Sequence, residues 1–352
     1  MKTDMSISDD RTLFAKKLIG EMFKIQPGES VAITLDSGGD KLTAEALANA
    51  TREVGGLPLL IEISKAEHDG QAGMKDWPSD ALKAALSNVN VWIEMNSSCM
   101  IYSEIWEAAL AKGVRYLVIG DSTLDSLKRV FNSFQINQLT PLLTKVKEMV
   151  LDTKVIRIRS NNGTDVSYET NLKYPVDFDD GDFSTKVFGT APGYVNVVPK
   201  QGTMNGTIVF DTLMFSSIFE NKEPVKFLMK NGEIVDIQGG KEAEKYKKFL
   251  TQFDDKNVYK ISHNMIGLNP GVRELCGQIV EDERIWGGVD FGFGHTSPMD
   301  MPPDGQPSQT HFDGVVAGVD LFFDDTPIFE NGEVVHPELK NIATPLLCYN
   351  NH

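Results

Sequence analysis

The hydrophobic positions of this chain follow one rhythm up to about residue 150 and another beyond it. In the first stretch, short apolar runs recur between helical stretches: "SVAITLD" (30–36), "LPLLIEI" (57–63), "VNVWIEM" (89–95) and "RYLVIGD" (115–121). Runs of this length and composition predict buried strands of a parallel sheet. Between them, "KLTAEALANATREVGG" and "SEIWEAALAKG" carry helical spacing and end at glycine, as helix C-termini commonly do. With the amphipathic segment "DRTLFAKKLIGEMFKI" in front, the alternation predicts a doubly wound α/β domain. Ligands of such sheets bind beyond the carboxyl ends of the strands, which draws attention to the loops "DSGGD", "KAEHDG", "NSSCMIY" and "GDST".

Past residue 150 the period changes from helical to alternating. "KVIRIRS" and "DVSYETN" flank the turn "NNGT", while "PVKFLMKNGEIVDIQGG" and "VDLFFDDTPIFENGEVV" each hold a glycine turn between apolar runs. These are hairpin patterns, interrupted by one clear helix, "KEAEKYKKFLTQF". The expectation is an α/β domain over residues 1–152 followed by a mostly antiparallel α+β domain over 153–352. The long helical segment "STLDSLKRVFNSFQINQLTPLLTKVKEMVL" closes the first, and the Pro-rich "DMPPDGQPSQT" is expected to be a loop beside the site.

Composition removes whole classes of partner. A net charge of −16 repels phosphate backbones, and no basic, aromatic-interleaved patch offsets it, so nucleic acid is not expected. No apolar run is long enough to span a bilayer. The first residues show no export signal, and three cysteines make no disulfide framework, so a cytoplasmic protein without membrane association is expected. "DSGGD" lacks the spacing of a nucleotide cradle. Cys99 near His68 admits a nucleophile reading, but a small buried thiol at a strand end is favoured.

One short motif carries metal chemistry. In "SQTHFDG", His311 and Asp313 stand two apart on a predicted strand and project from the same face, about 6–7 Å apart. One cation can touch both, and a hydrogen-bonded surface pair is the bland alternative.

The stretch "ISHNMIGLNPGVRELCGQIVEDERIWGGVDFGFG", followed by "SQTHFDG", resembles the aminopeptidase T family of metallopeptidases and, more closely, its relative 2,5-dihydroxypyridine dioxygenase. The resemblance implies a metal held by His263, His311 and Asp313, all in the second domain, with the first domain contributing substrate contacts. Where the peptidases bind two ions, it departs from them: His263 stands in place of a glutamate, Asp290 in place of a histidine and Tyr194 in place of a further glutamate. Those losses argue against a two-metal site. Two imidazoles and one carboxylate suit a non-haem Fe(II) centre with adjacent open positions for substrate and O2, although Zn(II) or Mn(II) fit the same donors. Tyr102 matches by spacing the dioxygenase's acid–base histidine, an exchange that puts an identical substrate in doubt. Arg284 corresponds to a dioxygenase arginine and, with His295 and Tyr194, is a candidate substrate contact. Glu281 and Glu283 are candidate general bases, with pairing to Arg284 as the structural alternative. The leading expectation is a ring-opening dioxygenase acting on a small hydroxylated aromatic or N-heterocycle, working as a homo-oligomer. A metal-dependent hydrolase and a non-catalytic binding protein on the same scaffold stand as alternatives.

Overall fold

The computed structural model describes residues 10–120, 122–214 and 223–349. The chain divides into two compact units: residues up to Ile136 together with Gly181–Pro192, and Asn137–Asp180 together with the residues from Gly193 onward. The division falls earlier than residue 152 because the helix Ile136–Leu151 groups with the second unit. The expected single helical segment is two helices, Leu124–Asn132 and Ile136–Leu151. Between them Phe134 turns into the core.

The first unit is built on β1 (Ser30–Asp36), β2 (Leu57–Ile63), β3 (Val91–Glu94), β4 (Arg115–Val118) and, arriving after three strands of the second unit, β8 (Phe188–Gly189). The order is β2-β1-β3-β4-β8 with every pairing parallel, the doubly wound order in which the chain reverses direction between β1 and β3. Central strands β1 and β3 are buried along nearly their whole length, as their apolar runs predict. β2 is the exception. It forms an edge and leaves Leu57 60 % exposed, so burial on both faces fails there. Leu57 N–H donates to Glu29, which turns the alternate N–H groups outward; Pro58 removes one of these and blunts the edge. Helices Lys41–Glu53 and Glu104–Ala111 start where Asp40 and Ser103 accept hydrogen bonds from their first-turn N–H groups.

The second unit holds two antiparallel sheets. The eight-stranded sheet runs β13-β12-β10-β6-β5-β17-β18-β19, from β5 (Val155–Arg159), β6 (Asp165–Glu169), β10 (Asn205–Val209), β12 (Lys226–Lys230), β13 (Glu233–Gln238), β17 (Asp320–Phe323), β18 (Thr326–Glu330) and β19 (Glu333–Val334). All three predicted hairpins are present in it. Asn231-Gly232 and Asn331-Gly332 both take positive φ, as two-residue hairpin turns require. The six-stranded sheet runs β11-β16-β15-β14-β9-β7, from β7 (Val176–Asp179), β9 (Tyr194–Val197), β11 (Thr212–Leu213), β14 (Ile261–Gly267), β15 (Val289–Thr296) and β16 (Gln306–Val316). β16 takes up the second half of the expected Pro-rich loop, leaving residues 297–305 outside strands. Among the described residues no helix is long and apolar enough to cross a membrane.

In the first unit Glu94, at the carboxyl end of β3, is fully buried; Tyr116 Oη donates to its Oε2 at 2.5 Å and Met100 N to its Oε1 at 2.6 Å. Burial, helped by Asp69 and Asp36, pushes its pKa up to about 8. The unfolded chain therefore loses this proton first, and Glu94's contribution to stability declines as pH rises from about 4.5 to about 8. In Glu94→Gln the amide oxygen keeps the bond from Met100 N and the amide nitrogen donates to Tyr116 Oη, reversing that bond, without a titrating group. In denaturant titrations at several pH values, the variant is expected to gain on the wild type across that window, by at most about 1.4 kcal/mol per pH unit. Parallel curves for the two proteins would show that Glu94 is charged in the fold.

Candidate metal centre

The six-stranded sheet arranges its chemistry in rows. Cross-strand partners share a face, and residues two apart along a strand do too. One row runs His263 (β14), Gly292 (β15), Asp313 (β16), and Gly294 faces His311 beside it. The next row on the same face runs Asp177, Asn196, Met265, Asp290, Val315. The residues between them point the other way: Phe291, Phe293 and Phe312 are fully buried, and Phe293 stacks on Phe312 at 5.2 Å. A polar face thus lies on an aromatic platform that leaves its strands little room to move.

Two irregularities aim the histidines. β14 pairs Ile261 with Phe293 but His263 with Gly292, so the ladder slips at Ser262. Without that slip His263 would share the buried face of Ile261; bulges commonly re-aim side chains in this way. Ser262 Oγ secures the slip by donating to the His295 carbonyl at 2.8 Å. A second shift follows Gly294 on β15. There the His295 carbonyl receives His311 Nδ1 at 2.7 Å. A carbonyl only accepts, so Nδ1 carries the proton and Nε2 keeps its lone pair for the site.

The donor atoms converge. His311 Nε2 lies 3.2 Å from Asp313 Oδ1, and His263 Nε2 lies 3.4 Å from the same oxygen and 3.3 Å from Asp290 Oδ2. His263, His311 and Asp313 each place a ligand atom within 4.8 Å of the others, and Glu283, Asp290 and Asp313 form a second such group. Gly292 makes the convergence possible. A Cβ there would stand 2.5 Å from His263 Cε1 and 2.8 Å from Asp313 Oδ1.

Charge fits a cation as well. Burial lowers the pKa of His263, yet Asp290 and Asp313 outweigh it and hold the imidazole well above its ordinary value. Asp313 is held below the usual carboxylate range against its burial, by His311 and His263. Asp290 is raised, by burial and by Asp313. Three carboxyl groups, those of Glu283, Asp290 and Asp313, crowd one buried place, where burial raises the first two; a cation there would favour their charged forms. Among the described residues Asp290 Oδ1 is buried without a hydrogen-bond donor. Such an oxygen is costly unless a cation or proton meets it. The donor set, this oxygen and the gap at Gly292 together fit one divalent metal.

The remaining candidates divide. Glu283 joins the second carboxylate group but is ion-paired with Arg284. Arg284 is buried, with its guanidinium 5.0 Å from the Tyr194 ring centre, so the structural alternative for this pair is what the fold displays. Glu281 is buried on the short helix Ile279–Asp282 and accepts from Cys276 Sγ at 3.3 Å. His295 serves the site through its backbone carbonyl. Tyr102 lies in the first unit, packed edge-on against Trp106 at 5.4 Å with φ of 64°. Cys99 is pushed well above the ordinary thiol range by burial, which disfavours a nucleophile. Sequence reasoning did not assign Asp290, Asn196 or Gly292 to the site; the glycine-rich alternation "VDFGFG" is the signal that points to the last.

An α/β unit joined to a β-rich unit that presents two imidazoles and a carboxylate on one sheet face has aminopeptidase T-like architecture. The family profile described as NicX, 2,5-dihydroxypyridine 5,6-dioxygenase, matches residues 11–336, and the chain belongs to that family. A 2,5-dihydroxypyridine 5,6-dioxygenase of Pseudomonas putida is 29 % identical over 155 residues, a match spanning 42 % of this chain and 44 % of that relative. The solved 2,5-dihydroxypyridine dioxygenase of Pseudomonas putida KT2440 superposes with a TM-score of 0.78 at 20 % identity, covering 94 % of this chain and 99 % of that one. Wild-type AmpT of Thermus thermophilus follows with a TM-score of 0.67 at 11 % identity, covering 93 % and 99 %. At these identities the two structures show a shared fold.

Gly292→Ala tests the convergence. The added methyl is expected to part His263 from Asp313 and to weaken metal binding about 10–100-fold, the range for changes just outside a ligand shell. Melting temperature without metal should stay near the wild-type value. Elemental analysis after dialysis reads the result. Full metal content in both Gly292→Ala and Asp313→Ala would remove these residues from the site.

Proposed function

We propose that this chain is a metal-dependent ring-cleaving dioxygenase acting on a small hydroxylated N-heterocycle of the 2,5-dihydroxypyridine kind, with a mononuclear centre held by His263, His311 and Asp313. The observation that carries the reading is the convergence of two imidazole nitrogens and one carboxylate oxygen within 4.8 Å of one another. That donor set suits ferrous ion better than the carboxylate-rich surroundings of a two-metal hydrolase. When bound there, Fe(II) supplies neighbouring coordination positions for a ring oxygen and O2 and a path for electrons between them.

The chain's own residues prepare the rest. The His295 carbonyl fixes the tautomer of His311, and the aromatic platform holds β15 and β16 in place. Asp290 Oδ1, buried and without a donor, is the oxygen at hand to hold a proton beside the ring. A hydrolase is the second reading, favoured by the Glu283, Asp290 and Asp313 group; the ion pair with Arg284 draws Glu283 away from a second metal.

Protein loaded with Fe(II) under argon, then given 2,5-dihydroxypyridine in an oxygen electrode, is expected to consume one O2 per ring lost. Hydrolysis of peptide or cyclic amide substrates without oxygen uptake would favour the second reading.

A further inference from the structure

Beside the metal ligands the sheet carries a hydrogen-bonding group that no element of the fold uses. Asn196 on β9 stands opposite Met265 of β14, and Met265 shares its face with His263 two residues away. By sheet geometry Asn196 is a diagonal neighbour of His263, about 7–8 Å off between Cα atoms. Its Nδ2 donates to Asp300 Oδ1 at 3.4 Å, from the segment that links β15 to β16. That contact sets the orientation of the amide, since the carboxylate oxygen accepts. Asn196 Oδ1 is then a fixed acceptor. It is shielded from solvent and, among the described residues, has no donor.

Asp300 belongs to the same space. Burial raises its pKa; the charges of His263 and His311 lower it and that of Asp177, Asn196's partner on β7, raises it. The side chain therefore lies within electrostatic reach of the metal-bearing histidines. Met265, nearly buried, makes an apolar floor between His263 and Asn196. An aromatic ring bound at the metal through an oxygen would lie across that thioether, a favourable contact for sulfur. The ring's far edge would then reach Asn196.

We infer that Asn196, held by Asp300, is a specificity-determining residue whose Oδ1 receives a hydrogen bond from the ring N–H of the substrate. This rests on the proposed function and deepens it. It selects rings that present a donor on the edge away from the metal, such as the pyridone tautomer of a hydroxypyridine, over rings that lack one. A site built around a fixed acceptor rejects an analogue without the donor because the acceptor stays buried and unpaired.

The test uses the full chain loaded with Zn(II), which binds ring oxygens without turnover, and calorimetric titration with two probes: 2,5-dihydroxypyridine and N-methyl-5-hydroxy-2-pyridone, in which the N–H is blocked. Wild type is expected to bind the first about tenfold more tightly or better, the order of one unpaired hydrogen bond. Asn196→Ala should lose that preference, binding the first probe about tenfold less tightly and the second no worse, with one Zn(II) per chain retained. Asp300→Asn should shift the preference in the same direction by a smaller factor, which keeps the test open if the first variant folds poorly. Equal weakening of both probes, or wild-type affinity for the first probe in Asn196→Ala, would overturn the assignment. Absence of oxygen uptake by the Fe(II) protein, with the binding preference intact, would overturn the proposed reaction and leave the assignment standing. Failure of the Zn(II) wild type to bind either probe would overturn both.

Discussion

Because Gly292 has no side chain, residues on two strands that are not neighbours meet over the strand between them. His263 and Asp313 sit on either side of β15 in register with Gly292, and a single methyl would occupy the space their tips share. The rest of the centre depends on this gap. With it, Asp313 Oδ1 comes within reach of both imidazoles. A β-sheet otherwise keeps side chains on alternate strands about 10 Å apart, too far for one ion. The slip at Ser262 is the second requirement, since it turns His263 out of the core and onto this face.

Assembling buried carboxylates beside imidazoles works against desolvation, and the surrounding structure supplies what holds them there. The opposite face is packed with phenylalanines, among them Phe227 at 5.4 Å from Phe293 and 4.8 Å from Phe210. Apolar burial of that extent stabilises the sheet independently of the site. Polar groups that enter the same layer are satisfied: Asn264 accepts from Tyr168 at 2.8 Å and donates to the Asp290 carbonyl at 2.5 Å. Against that background the donorless oxygen of Asp290 is conspicuous, as is the idle acceptor of Asn196. Unpaired groups in an otherwise well-paired layer mark where a ligand enters.

Much of the fold was legible in the sequence because its periods are strong. The four parallel strands of the first unit and the Asn-Gly hairpins of the second lie where the apolar runs and turn residues put them. The two-residue β8 was not legible, since Phe188–Gly189 has no period to detect and is fixed only by pairing with β4. The edge position of β2 was hidden for a related reason: its composition is that of a central strand, and strand order decides exposure. At the site, the spacing of His311 and Asp313 admitted a shared cation and the family resemblance raised that reading and added His263; the fold brings the three together. Asp290, Gly292 and Asn196 acquire meaning only through register between strands distant in sequence, and the slip at Ser262 leaves no local signature. Arg284 illustrates the opposite case, in which the plain ion pair with Glu283 accounts for the residue as the fold displays it.

The central claim is that one metal sits over Gly292 between His263, His311 and Asp313. Its most direct test is a crystal grown under argon with Fe(II), with anomalous difference maps recorded on either side of the iron absorption edge. A single peak bounded by the Nε2 atoms of His263 and His311 and the carboxylate of Asp313 is the result expected. Two peaks, the second held by Glu283 and Asp290, or a peak remote from His263, would contradict it.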